Sequence, residues 1–101
     1  MPYVYANVKV KYGQLPAFFE QMVTIKRVME EHGWKLVGAW STLIGDLHEV
    51  HDLWEVEDAN TVPSAFAGAY KDPEFVAAAA QLRTIADREV LSLVAKTPYS
   101  P

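Results

Sequence analysis

From Tyr3 to Lys11 the chain alternates without a fault, with Val4, Ala6, Val8 and Val10 on one side and Tyr3, Tyr5, Asn7, Lys9 and Lys11 on the other. A period of two predicts a half-buried strand, and the small aliphatic side is the one a helix would cover. Gly13 breaks the run, and Pro16 stands where a helix could begin, because the N–H it lacks is not needed in a first turn. From Leu15 to Glu31 the apolar residues Leu15, Phe18, Phe19, Met22, Ile25 and Met29 recur at three- and four-residue steps, which predicts one stripe of an amphipathic helix. His32-Gly33 closes it, the glycine being suited to a left-handed cap. Lys26, four positions on from Met22, falls in or beside the stripe. A lysine whose stem packs while its ammonium reaches water satisfies that position; a cation aimed into a pocket is the functional alternative.

The pattern then changes from helical steps to two runs of Trp, Val, Leu and Ile, between Trp34 and Val56, meeting at Gly45-Asp46. A Gly-first dipeptide suits a two-residue turn with positive φ, so the stretch reads as one β-hairpin. Pairing Ile44 with Leu47 places Val37, Ala39, Ser41, Leu43, His48, Val50, Asp52 and Trp54 on one face. Trp34, Leu36, Gly38, Trp40, Thr42, Glu49, His51 and Leu53 fall on the other. Both faces carry large apolar groups. Parity leaves two orientations open, and a single bulge would exchange them.

Beyond the hairpin, Asp58 and Asn60 are candidate helix caps and Pro63 fits a first turn, which predicts a short helix to about Tyr70. Asp72 and Pro73 start another, whose body EFVAAAAQLRTIADRE puts Phe75, Ala78, Ala79, Leu82 and Ile85 on one face. Val90 to Lys96 reads as a last strand, and Thr97 to Pro101 as a proline-bounded tail. The order β, α, β, β, broken α, β predicts an α+β, ferredoxin-like βαββαβ domain over residues 1–101, with a four-stranded antiparallel sheet and its helices on one side. The uncovered face would bear some combination of Tyr3, Tyr5, Val37, Val50 and Trp54, an apolar patch of the kind that marks an interface. A second copy laid face to face would enclose it, giving a homodimeric barrel whose cavity has Asn7, Ser41, His48 and Asp52 as polar candidates.

Composition narrows the partners. Half of the 101 residues are hydrophobic and 22% are charged, an ordinary globular balance. A net charge of −4 with nine scattered Lys and Arg argues against nucleic acid, which requires a basic stripe. No apolar run approaches the ~20 residues of a membrane span, and no targeting segment is visible, so the expected location is the cytoplasm. The absence of cysteine removes disulfides, thiolate metal sites and cysteine nucleophiles together. No Gly-rich phosphate loop precedes a helix.

Catalytic side-chain types concentrate only in HEVHD, residues 48 to 52. On a strand His48 and His51 point to opposite faces, so a zinc site made by the pair is disfavoured and no metal is expected. His48 and Asp52 share a face but stand ~13 Å apart, so they could act together only across a twofold axis or on different ends of one ligand. His48 is either a solvated residue one step past a turn or a general acid or base, apt because imidazole titrates near neutrality. Asp52, flanked by Leu53 and Trp54, is costly to bury unpaired and is either a pocket residue or a structural acceptor. His51, opposite Trp40, reads as a satisfied structural histidine. Tyr5, Asn7 and Trp54 are the candidate ligand contacts, Asn7 being a reasonable anchor for a carbonyl or hydroxyl.

The segment GWKLVGAWSTLIGDLHEVHDLWEV resembles the core hairpin of the NIPSNAP family in its Lys-Leu-Val-Gly, aromatic, Thr, Ile-Gly, Leu, Glu-Val and Leu-Trp. Tyr5 to Gly13, Asp72-Pro73-Glu74-Phe75 and Thr97-Pro98-Tyr99-Ser100-Pro101 are similar to the same family's ends. The resemblance implies the dimeric α+β barrel fold and tips His48, Asp52 and Trp54 toward the cavity, while implying little about activity. The chain departs from the family pattern at His48, where Asn is frequent, and at Asp52, where His is frequent. The leading expectation is a homodimer binding a small organic, aromatic or polyketide-like molecule, without cofactor. Any reaction would be a metal-free isomerisation, cyclisation or oxygenation in which His48 or Asp52 moves a proton. A non-catalytic interaction protein and a haem-binding barrel with an axial histidine are the alternatives.

Overall fold

A computed structural model describes all 101 residues. The elements run β1 (Tyr3–Val10), α1 (Leu15–Glu31), β2 (Lys35–Ser41), β3 (Glu49–Glu55), α2 (Thr61–Ala69), α3 (Pro73–Ile85) and β4 (Ala86–Val94). The strands form one antiparallel sheet in the order β2-β3-β1-β4. This is the expected α+β, ferredoxin-like arrangement, with the second helical region divided into α2 and α3.

The alternation in β1 is obeyed: Val4, Ala6, Val8 and Val10 are buried under the helices, and Tyr3, Tyr5, Asn7 and Lys9 face away. α1 begins with Pro16 in its first turn, buries Phe18, Val28 and Met29, and ends before Gly33, whose φ of 99° takes the left-handed conformation. α2 lies close to the end of α1, with the His32 imidazole resting on Gly68; a Cβ there would lie 2.5 Å from the ring's Nδ1. α3 starts as expected, the Asp72 carboxylate accepting from the Glu74 N–H at 2.9 Å.

Three boundaries differ from the sequence reading. α3 stops at Ile85 instead of running through Glu89, and β4 covers Ala86–Val94 instead of Val90–Lys96. Ala86, Arg88 and Glu89 pair with Val10, Lys9 and Val8, and Lys11 N–H donates to Ile85 O at 2.8 Å, so tertiary pairing overrides local helix preference. Second, β2 and β3 are joined by the loop Thr42–His48 rather than a two-residue turn. Asp46 accepts from His48 N–H at 3.1 Å through its side chain and from Glu49 N–H at 3.2 Å through its carbonyl, while its carboxylate pairs with Lys9. These contacts take up the groups a tight turn would have paired. The register nevertheless follows the Ile44/Leu47 pairing through Ser41↔Val50, Trp40↔His51, Ala39↔Asp52 and Gly38↔Leu53.

Third, the register shifts between Leu36 and Gly38, and Leu36 pairs with Trp54. This bulge at Val37 moves Leu36 and Trp34 to the side of Trp54. There the Trp34 ring packs edge to face on Trp54 at 5.6 Å and on Phe66 at 5.3 Å, and its Nε1–H donates to Thr61 O at 3.3 Å. The orientation of the hairpin follows. Val50, Asp52 and Trp54 lie opposite Val8, Ala6 and Val4, under the helices, and the expectation that Val50 and Trp54 occupy the uncovered face is corrected. The uncovered face carries Tyr3, Tyr5, Asn7, Trp40, His51 and Leu53 instead, with Val90 and Val94 from β4.

The core falls into two clusters, one around Trp34, Trp54, Met29 and Phe75, the other around Val8, Phe18, Val50 and Ile85. The Ala6–Asp52 row lies between the Val4–Trp54 row of the first and the Val8–Val50 row of the second. A small residue paired with a charged one thus interrupts the packing midway along the sheet.

Candidate functional site

Where the packing is interrupted, two cavities open between helices and sheet. The first, about 330 Å³, is walled by Trp34, Trp54, Phe66, Phe75 and Leu82, with Arg83, Asp87 and Glu89 at one side. The second, about 340 Å³, lies between α1 and the β2–β3 pair, against Phe18, Met22, Leu36 and Val50, with Lys26 at its margin. Asp52, Trp54 and Met22 line both. The Lys26 ammonium itself is turned to Glu30 at 2.9 Å, so its stem borders the cavity while its charge is paired at the surface.

Asp52 is the only charged residue in the buried set, 4% exposed. No hydrogen-bond donor reaches its carboxyl. Loss of water pushes its pKa up from 3.8 to about 6, the charge of Glu89 adds to the rise, and His51 opposes it slightly. Glu89 stands opposite Val8 and therefore on the same side of the sheet as Asp52. It keeps contact with solvent, yet the protein around it also holds its carboxyl above the ordinary value through desolvation. An acid of this kind, at the meeting point of two mostly apolar hollows, can hold or release a proton close to neutrality.

The sequence-predicted site residues separate into three places. Asp52 and Trp54 meet in the cavities, inside the protomer rather than on the uncovered face. Tyr5 and Asn7 are on that opposite face with His51: the Tyr5 hydroxyl and Asn7 Nδ2 lie 2.7 and 3.3 Å from Nδ1, and the Thr42 hydroxyl 2.9 Å from Nε2. Because Asn7 Oδ1 accepts from Arg88 at 3.1 Å, its amide nitrogen is the atom turned to Nδ1. His51 is thus fully engaged by its neighbours. His48 sits in the β2–β3 loop with its ring 5.0 Å from that of Tyr12, and it lines neither cavity. The expectation that His48, Asp52 and Trp54 turn together to the face between two sheets is corrected: Asp52 and Trp54 turn under the helices, and His48, whose carbonyl still accepts from Val10 N–H at 2.8 Å, lies past the end of β3 against Tyr12. His32, resting on Gly68, is also outside, so a histidine-ligated haem would find no ligand in either cavity. Sequence reasoning missed Glu89, because the segment ADRE was read as helix; the alternation of Glu89, Leu91 and Leu93 with Val90, Ser92 and Val94 was the available signal.

A family model described as NIPSNAP matches residues 4–101. The chain belongs to the NIPSNAP family. Among solved structures, an uncharacterised NIPSNAP domain protein from Burkholderia xenovorans superposes with a TM-score of 0.83 at 16% identity, covering 100% of this chain and 99% of that one. A NIPSNAP family protein of unknown function from Agrobacterium tumefaciens gives 0.86 at 20% identity, with 100% and 92% covered. A putative antibiotic biosynthesis monooxygenase from Nitrosomonas europaea gives 0.74 at 7% identity, with 95% and 98% covered. At these identities the likeness is one of fold. No curated protein matches the chain. No helix of this NIPSNAP protein is long and apolar enough to cross a membrane.

Proposed function

We propose that this NIPSNAP protein is a homodimer in which each protomer binds a small, mostly apolar organic molecule between its helices and sheet, with Asp52 as the polar anchor. The observation that carries the reading is the carboxyl of a residue only 4% exposed, given no donor by the protein and set where two hollows meet. Burying such a group without a partner is unfavourable, and a ligand can supply the partner. If turnover follows binding, Asp52 is the group that accepts and returns a proton, and Trp54 forms the wall against which the molecule lies. The fold likeness to a putative antibiotic biosynthesis monooxygenase favours oxygenation, with isomerisation or cyclisation as neighbouring reaction types.

The second copy is supported by the shape of the chain. A compact monomer of 11.3 kDa exposes about 5,700 Å², whereas this slab of 39 × 37 × 17 Å exposes 6322 Å². Part of the surplus lies on the uncovered sheet face, where Trp40 is 56% exposed and Val90 and Val94 are also open. A second sheet packed on this face would remove that area from water.

Titration of the ¹⁵N-labelled protein with 2-naphthylmethanol tests the location. Saturable chemical-shift changes are expected at Asp52, Trp54, Phe75 and Ala79. Shifts confined to Tyr5, Asn7 and His51, or none that saturate, overturn the reading.

A further inference from the structure

We infer that the ligand held beside Asp52 is a lipophilic amine, bound as its ammonium ion between the Asp52 and Glu89 carboxylates with its hydrocarbon body against the aromatic wall. The inference rests on the ligand-binding reading above and names the chemical class of the ligand.

Charge balance is the first argument. Asp52 and Glu89 occupy the same side of the sheet on the two strands that flank β1, opposite Ala6 and Val8. They are near enough for the charge of one to act on the other. The other charged and titratable groups around the cavities are Lys26 from α1, Tyr70 after α2, Arg83 from α3, and Asp87 and Arg88 from β4. Two of the three cations are engaged outside the cavities: Lys26 is held by Glu30 at 2.9 Å, and Arg88 reaches through to Glu49 at 2.7 Å and Asn7 at 3.1 Å on the opposite face. Arg83 stands at the side of the first cavity, donating to the Tyr70 hydroxyl at 3.3 Å. None of the three steadies the charge on Asp52, which only His51 offsets at all. Asp52, once ionised, therefore has no cation of the protein against it. A neutral ligand would not balance it, and an anion would be repelled by both carboxylates.

The wall is the second argument. Trp34, Trp54, Phe66, Tyr70 and Phe75 all contribute to the first cavity. Aromatic rings accept an alkyl or aryl body by burial and add cation–π attraction where an ammonium passes their faces. Two acids and several aromatic rings in one hollow form a site whose chemistry matches a cation carrying apolar bulk.

The experiment compares three probes of one shape, 2-naphthylmethylamine, 2-naphthylmethanol and 2-naphthoate, by calorimetry with the full chain. At pH 8 the amine is expected to bind about tenfold or more tightly than the alcohol, because an ammonium–carboxylate ion pair replaces a hydrogen bond from a neutral hydroxyl, and the carboxylate more weakly than either. The amine's advantage should shrink at pH 5, where Asp52 is protonated, and should disappear in Asp52→Asn at both pH values. Glu89→Gln should reduce the advantage in part. Equal binding of amine and alcohol to the wild type at pH 8, or an amine preference that survives in Asp52→Asn, overturns the inference but leaves the cavity as a binding site. Binding of none of the three overturns both.

Discussion

A single carboxyl decides how this protein responds to pH. The folded chain holds the Asp52 proton more tightly than the unfolded chain, since the pKa rises from 3.8 to about 6 on folding. The sign follows: stability is lost as pH rises from about 4 through 6, and the full cost, about 3 kcal/mol, is present above that. Glu89 acts in the same direction. Asp46 and Glu30 act oppositely, because hydrogen bonds from Lys9 and Lys26 hold their carboxyls below the ordinary range; what they contribute is lost on acidification through those lowered values. Asp52→Asn is therefore expected to be more stable than wild type by about 1 to 3 kcal/mol at pH 7.5 and to lose that advantage at pH 4, as measured by urea denaturation at both values. A variant less stable than wild type at pH 7.5 would mean that the carboxylate has a partner. The identity of this residue was legible in the sequence, since an acid between strand-forming residues and next to Leu53 and Trp54 has few inexpensive places to go. Its direction was not, because the orientation of the hairpin depends on a bulge at Val37 that no residue type announces. The separation of His48 was legible, since four residues of strand already set it ~13 Å from Asp52.

At the level of elements, starts were easier to read than ends. Pro16 and the pair Asp72-Pro73 each act through local backbone chemistry, and α1 and α3 begin where those residues place them; Gly33 does the same for the end of α1. The end of α3 is set by the edge of β1, a partner more than seventy residues away in the chain, and no local pattern reports it. Removing a local signal should have a local cost. Asp72→Ala frees the Glu74 N–H and is expected to destabilise the protein by about 1 kcal/mol. That corresponds to a fall in Tm of about 4 to 8 °C in a thermal denaturation followed by circular dichroism.

For the whole molecule, the residues behind the proposed assembly differ from those the sequence pointed to. The sequence argument for an apolar uncovered face used Val50 and Trp54, which are buried; Trp40, Leu53, Val90 and Val94 supply that face instead. A hairpin apolar on both sides leaves one side uncovered whichever way it is turned, so the proposal of a second copy keeps its basis. In sedimentation velocity the wild type is expected as two copies of the 11.3 kDa chain. Leu53→Lys, which places a charge on the uncovered face without touching the core, should weaken association by about tenfold or more with its helix signal unchanged. A wild type that sediments as a single copy removes the dimer from the proposal. One feature of the chain also bears on how anything reaches Asp52. Helix α3 passes into β4 at Ile85–Ala86 with no connecting residue, so one wall of the cavity and part of its floor are a single rigid piece. The short α2, which contributes Phe66 to the same cavity, is instead flanked by loops and tied at its start by the Asp58 carboxylate, which accepts from Thr61 N–H at 3.1 Å.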